Sequence, residues 1–117
     1  MSTPEPGAFA QAWSAAWNRR DVEAVLAHFH DDVVFSSPLA AELLPGATGV
    51  VRGKAALREY WTTALATVPE LHFEVLGVYR GQGVLVINYC NERGGLVNEV
   101  LEFDAGRVRR GHGTYLD

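Results

Sequence analysis

The spacing of apolar residues changes at Pro69, and this change constrains the fold more than any other feature of the sequence. Before Pro69 apolar residues recur at helical spacing, as in Phe9, Trp13 and Trp17. After Pro69 they alternate with polar residues, a pattern typical of strands with one buried face. Helices followed by hairpin-connected strands predict an α+β domain whose helices cover one face of an antiparallel sheet.

Three helices are predicted before Pro69. The first begins near Gly7, the second follows its N-cap Asp21, and the third follows Gly53. The residues before Gly7 are expected to form a short flexible lead. The buried side of the second helix is predicted to comprise Val22, Val25, Leu26 and Phe29.

A short strand, Val33–Phe35, and a loop, Leu39–Val51, are predicted between the last two helices. The loop is long for an unstructured connection, so we expect it to act as a lid over a site. The strands predicted after Pro69 are Leu71–Arg80, Gly83–Asn91, Leu96–Asp104 and Arg107–Leu116. The first of them is expected to bury Leu71, Phe73, Val75 and Tyr79.

Length and composition exclude several classes of protein. A chain of 117 residues, 48% of them hydrophobic, suits one domain spanning residues 1–117. A net charge of −4 argues against nucleic acid as a partner. No apolar run approaches the roughly 20 residues of a membrane span, and the single Cys90 excludes an internal disulfide. With no signal peptide recognisable, we expect a cytoplasmic protein without a membrane partner.

Metal and cofactor sites are not indicated by any motif. His28, His30, Asp31 and Asp32 are possible ligands, but positions i and i+2 do not share a helical face and no further ligand set is suitably spaced. No glycine-rich loop links a strand to a helix in the manner of a phosphate site. We therefore expect neither a metal nor a cofactor.

Glu99 is the one carboxylate on an otherwise apolar strand face, which also carries Val97, Leu101 and Phe103. Burial of an isolated charge is so costly that such a group must be paired, hydrogen-bonded or protonated. A functional pocket around Glu99 is one explanation. A position at the rim of the sheet, or pairing with an arginine, is the other.

Two further positions carry weaker signals. Ser37 shares a strand face with Phe35, but a Ser-Pro turn with a local hydroxyl–backbone bond accounts for it equally simply. The alternate glycines Gly111 and Gly113 leave space above the last strand, either for a cavity or for close packing. The pattern does not decide which face His112 takes.

The Gly83–Asn91 strand is apolar on both faces, with Leu85, Ile87 and Tyr89 opposed to Val84, Val86 and Cys90. In a single-layer sheet with helices on one side, this pattern indicates a partner on the other side. We therefore predict a homodimer that forms through the outer face of the sheet.

The order of elements and three local motifs resemble the nuclear transport factor 2-like superfamily, which includes ketosteroid isomerases, SnoaL-like polyketide cyclases and limonene epoxide hydrolase. The motifs are Trp17–Asp21, Phe29–Pro38 and Arg52–Trp61, and the resemblance extends from about Phe9 to Asp117. It implies a cone-shaped, strongly curved sheet, mixed or antiparallel, that packs with the three N-terminal helices around an apolar pocket. It also implies that dimers are common.

The resemblance to ketosteroid isomerase is incomplete at the catalytic positions. The position of that enzyme's general-base Asp holds Ser37, and the position of its oxyanion-binding Tyr holds Trp13. Its protonated Asp corresponds to Glu99. Because a serine hydroxyl accepts protons poorly at neutral pH, the same steroid isomerisation is not expected.

The sequence thus predicts a protein that binds a small apolar, polyketide-like or steroid-like molecule. Glu99 and Ser37 are the predicted catalytic residues of any reaction, which would be a cofactor-free isomerisation, cyclisation or hydrolysis. The predicted pocket lining is Trp13, Trp17, Phe35, Trp61, Leu101, Phe103 and Tyr115. The alternative is a module without catalysis that carries a ligand or only dimerises.

Overall fold

The computed structural model describes residues 3–44, 46 and 48–117. Four helices and six strands lie within these residues. In chain order they are α1 (Pro6–Asn18), α2 (Val22–Leu26), β1 (Phe29–Ser36), α3 (Pro38–Leu43), β2 (Val50–Arg52), α4 (Lys54–Thr67), β3 (Glu74–Arg80), β4 (Val84–Cys90), β5 (Leu96–Asp104) and β6 (Arg107–Tyr115).

The predicted α+β class is confirmed, with one curved, unclosed sheet packed against helices. The strands lie in the order β2-β1-β6-β5-β4-β3. All neighbours are antiparallel except β1 and β6, which are parallel, so the sheet is mixed. The β3–β6 meander follows directly from the alternation and turn residues after Pro69.

Side-chain hydrogen bonds define the ends of α1 and the start of α2. The carboxylates of Glu5 and Asp21 cap α1 and α2 by accepting backbone N–H bonds in the first turn. At the other end of α1, the Asn18 amide donates to the Phe73 carbonyl over 3.0 Å and accepts from the Phe73 N–H over 2.8 Å. This paired bond joins the end of α1 to the segment that leads into β3.

The first strand is longer than predicted. β1 begins at Phe29, which the helical pattern assigns to the second helix, and α2 ends at Leu26. The physical reason is a distant partner, because Phe29 lies opposite Val108 of β6, and the register shifts between Phe29 and Val34. A pairing across so many residues leaves no local signal in the sequence.

The prediction of an unstructured loop over Leu39–Val51 is wrong for most of that segment. Pro38–Leu43 form α3, and β2 begins at Val50 and pairs with the end of β1. Two residues of the predicted lid, Pro45 and Ala47, lie outside the described residues, as do Met1 and Ser2 of the predicted lead. The structure thus contains a fourth, short helix besides the three predicted.

Tyr79 does not lie on the buried face of β3 as expected; its exposed fraction is 67%. The register with β4 shifts between Val75 and Gly77, which reverses the alternation after that point. As a result Val78 packs against the core instead.

The two glycines of β6 serve different purposes. A Cβ at Gly111 would lie 2.9 Å from Phe35 Cδ1 and 3.2 Å from Leu101 Cδ2, so the glycine permits close packing. A Cβ at Gly113 would meet Ser37 Oγ at 3.4 Å and Glu99 Oε1 at 3.7 Å, which are ordinary contacts. His112, between them, lies on the opposite face of the sheet, where Nδ1 bonds to the Ser36 hydroxyl over 2.6 Å.

Gly111→Ala is expected to destabilise the protein by about 1–3 kcal/mol, because the added methyl overpacks the ring of Phe35. Urea unfolding measures the change. Gly77→Ala is the matched control: apart from Gly77 itself and its two chain neighbours, no heavy atom lies within 4 Å of the added Cβ, and we expect a change within about 0.5 kcal/mol. Equal stability of the two variants would contradict the close-packing role of Gly111.

Candidate functional site

A small cavity lies between the inner face of the sheet and helices α1 and α4. Its volume is about 50 Å³. Aromatic side chains form most of its walls, and Glu99 and Ser37 contribute its carboxyl and hydroxyl groups. We call it the inner cavity. The aromatic residues at its walls that the sequence predicts are Trp13, Trp17, Phe35, Trp61 and Tyr115.

A larger cleft of about 360 Å³ adjoins the inner cavity. The two share five lining residues, among them Leu39 of α3 and Tyr115 at the end of β6. The rim of this outer cleft carries the charged residues Glu42, Glu92 and Arg93. The site is therefore an apolar opening with a polar rim that leads inward to a buried carboxyl group.

Glu99 lies at the centre of β5, opposite Ile87 of β4 and Gly113 of β6. It is 6% exposed, and it takes part in none of the ion pairs among the described residues. Burial raises the pKa of the Glu99 carboxyl to about 8, while a hydrogen bond with the side chain of Tyr89 acts in the opposite direction. At neutral pH the group is mainly protonated, so it can donate a proton or a hydrogen bond.

Ser37 connects the cavity to α3. Its hydroxyl oxygen accepts from the Leu39 N–H over 3.2 Å, which caps α3, and from the Tyr60 hydroxyl over 3.4 Å. Both sequence-based explanations of Ser37 thus hold together: it forms the local turn bond and it lies at the cavity wall.

Trp13 places a buried hydrogen-bond donor beside the cavity. Its ring stacks on Phe73 with centroids 5.5 Å apart and meets Tyr89 edge-to-face at 5.2 Å. Its indole Nε1 is the only buried side-chain N or O atom in the described part of the chain that lacks a hydrogen-bond partner. An unpaired buried donor is destabilising, and such groups are rare.

Leu101 and Phe103, predicted to line the pocket, line neither the inner cavity nor the outer cleft. Both are buried farther along β5. Leu101 packs near Gly111, and the ring of Phe103 meets that of Phe9 edge-to-face at 5.3 Å. The curved sheet and α1 close on each other there, so these side chains fill the core.

Tyr60 and Tyr89 also line the inner cavity, although the pattern assigns them only to apolar faces. Burial raises the pKa of both phenols, so they remain hydrogen-bond donors at neutral pH. The position of Tyr89 could have been inferred from the Arg93–Gly95 turn. That turn sets Ile87 opposite Glu99, which places Tyr89 on the same face, diagonally next to the carboxyl.

The histidines near α2 do not form a metal site with their acidic neighbours. His28 packs edge-to-face on Phe9, and His30 bonds to the Asp104 carbonyl over 2.6 Å. Across the described residues, no group of three or more His, Cys, Asp or Glu side chains is arranged to hold a metal ion. None of the described helices is long and apolar enough to cross a membrane.

Replacing the Glu99 carboxyl should change how stability depends on pH. Between its ordinary pKa of 4.5 and its pKa of about 8 in the folded protein, the unfolded chain releases the proton that the folded protein retains. Stability should therefore fall as pH rises through this window, by up to about 1.4 kcal/mol per pH unit. Glu99→Gln removes this loss, which urea unfolding from about pH 5 to about pH 8 measures.

Glu59→Gln, which alters an exposed carboxyl on α4, is the control and should keep the pH dependence of the unchanged protein. The same pH dependence in Glu99→Gln would show that the buried carboxyl is ionised in the folded state.

Several solved structures are similar to this chain in fold. A SnoaL-like protein of unknown function from Burkholderia thailandensis is 32% identical, with a TM-score of 0.90 over 100% of this chain and 99% of that one. TerC, crystallised with polyporic acid, is 18% identical, with a TM-score of 0.78 over 96% and 92% of the two chains. A Sinorhizobium meliloti protein proposed to be a polyketide cyclase is 15% identical, with a TM-score of 0.74 over 92% and 94%.

The comparison with curated proteins gives no match. The SnoaL-like domain family matches residues 10–110, which is most of the chain. The match includes most of the helices that close the cavity and the strand that carries Glu99. The chain therefore belongs to the SnoaL-like domain family.

Proposed function

We propose that this protein binds a small apolar, oxygen-bearing molecule in the outer cleft and acts on it by acid/base chemistry at Glu99. The observation that carries the proposal is a buried carboxyl, raised in pKa to about 8, at the inner end of an aromatic cavity. A carboxyl with a pKa near the working pH is suited both to give and to take a proton. No cofactor is needed for such a step.

The chemistry fits an isomerisation, a cyclisation or a hydrolysis. The neutral Glu99 carboxyl would donate its proton to a ligand oxygen, and its carboxylate form would then take a proton from ligand or water. Ser37, hydrogen-bonded to Tyr60, would orient the ligand rather than act as a base. The relatives support the ligand class: TerC was crystallised with polyporic acid, and another relative is proposed to be a polyketide cyclase.

A protein that binds a ligand without catalysis is the second candidate. The volume of the inner cavity, about 50 Å³, favours it, because ligand pockets usually measure roughly 300–1,000 Å³. In that case only the outer cleft would hold the molecule, and Glu99 would not reach its reacting atoms. Binding that depends on Glu99, together with turnover, distinguishes the two candidates.

A thermal-shift screen with apolar ketones, lactones and epoxides tests the proposal. A ligand of this class should raise the melting temperature, since a concentration of 100 times Kd stabilises by about 2.7 kcal/mol. Glu99→Gln should reduce the shift, and Glu59→Gln should not. NMR of the incubated ligand then reports turnover. A shift that Glu99→Gln leaves unchanged would make Glu99 structural, and no shift with any ligand would favour the module that only dimerises.

The same protein is proposed to form a homodimer through the outer face of its sheet. One row of paired residues crosses all six strands there: Tyr79, Val86, Val100, His112, Ser36 and Val50. The adjacent row carries Glu102, Arg110 and Arg52, so a two-fold axis can set acidic against basic side chains. Apolar residues at both ends of the first row, Tyr79 at 67% and Val50 at 41%, are exposed in the single chain.

Val100→Arg is expected to dissociate the dimer, because it places a charge at the centre of the apolar row. The molar mass measured by light scattering at micromolar concentration should then fall from twice the chain mass of 12.8 kDa to the mass of one chain. Thr62→Arg adds the same charge on the exposed side of α4 and should leave the dimer intact. A monomeric mass for the unchanged protein would refute the dimer.

A further inference from the structure

The site consists of two compartments of very different size. The outer cleft, at about 360 Å³, is large enough for a small organic molecule. The inner cavity, at about 50 Å³, has room for only a few water-sized groups. Phe73, Tyr89 and Tyr115 belong to the walls of both, so one ligand can extend from the cleft into the cavity.

The polar groups of the inner cavity restrict what can enter it. Glu99 and Ser37 are both buried, with exposed fractions of 6% and 5%. A hydrocarbon substituent would exclude water from these groups without replacing the hydrogen bonds that water makes with them. The loss of one such hydrogen bond costs about tenfold in affinity. A substituent that carries an oxygen atom replaces them.

Because Gly113 has no side chain, it leaves the space beside the Ser37 hydroxyl and the Glu99 carboxyl open. It faces the inner cavity between them, and a Cβ there would lie 3.4 Å from Ser37 Oγ and 3.7 Å from Glu99 Oε1. These are ordinary contact distances, so a methyl group fits without displacing its neighbours. Such a methyl would occupy the space through which a ligand atom approaches the carboxyl.

We propose that the inner cavity is a size-selective subsite for a single carbonyl or hydroxyl substituent, and that Gly113 determines its depth. The apolar ring body of the ligand remains in the outer cleft. This inference rests on the proposed function and narrows its ligand class. It makes Gly113 a specificity-determining residue, although glycine has no functional group of its own.

The test measures binding of naphthalene derivatives by calorimetry, using 2-naphthol, 2-methoxynaphthalene and 2-tert-butoxynaphthalene. The unchanged protein should bind 2-naphthol at least tenfold more tightly than the tert-butoxy compound, with the methoxy compound between them. Gly113→Ala should lose about tenfold in affinity for 2-naphthol and little for the tert-butoxy compound. Gly77→Ala, which adds a methyl into open space on β3, should behave as the unchanged protein does.

Each result has a distinct meaning. Equal affinity of the unchanged protein for 2-naphthol and the tert-butoxy compound would overturn the subsite while leaving ligand binding in the cleft established. Unchanged 2-naphthol binding in Gly113→Ala would overturn the role of Gly113. Failure of the unchanged protein to bind any of the three would refute the proposed ligand class, and the subsite with it. The series on the unchanged protein tests size selection even if Gly113→Ala folds poorly.

Discussion

The parallel pairing of β1 with β6 is the interaction on which the site depends. It joins strand residues Phe29–Ser36 of the helical half to the last strand of the meander. Phe35 and Ser37 are thereby brought against Gly111 and Gly113, one strand away from Glu99. Without this pairing β1 and β2 would not be joined to the meander, and Ser37 and Glu99 would not line the same cavity.

The burial of Glu99 has a cost in stability. Removal of a carboxyl from water favours its neutral form, and the folded protein therefore binds a proton that the unfolded chain releases at neutral pH. A leucine at this position would pack in the same apolar row without that cost. Stability given up at one position for a chemically useful group is typical of functional sites.

Local patterns predicted the meander because each of its strands pairs with the next through a short turn. They also identified Glu99 as a candidate site residue, because a single carboxylate in an apolar row is visible in the sequence itself. They failed where distant contacts or an irregular register determine the structure. β1 extends to Phe29 because Phe29 pairs with Val108 of β6. Tyr79 faces outward because the register with β4 shifts between Val75 and Gly77.

The candidate site was predictable only in part for the same reason. Trp13, Trp17, Phe35, Trp61 and Tyr115 surround the cavity as the sequence suggests. Leu101 and Phe103 lie on the same strand face as Glu99 but fill the core, and alternation cannot tell a cavity wall from a packed interior. The division of the space into two compartments depends on side-chain volumes across several elements, which no single strand records.

The contrast between the two glycines of β6 has an evolutionary consequence. Every glycine codon becomes an alanine codon by one base change, so both positions sample alanine at the same mutational distance. At Gly111 that step brings the new methyl against the ring of Phe35, which opposes folding. At Gly113 the same step fits, and it would shorten the reach of the site toward Glu99. If the inner cavity holds a ligand substituent as proposed, ligand preference could change through Gly113, a position at which alanine fits the fold.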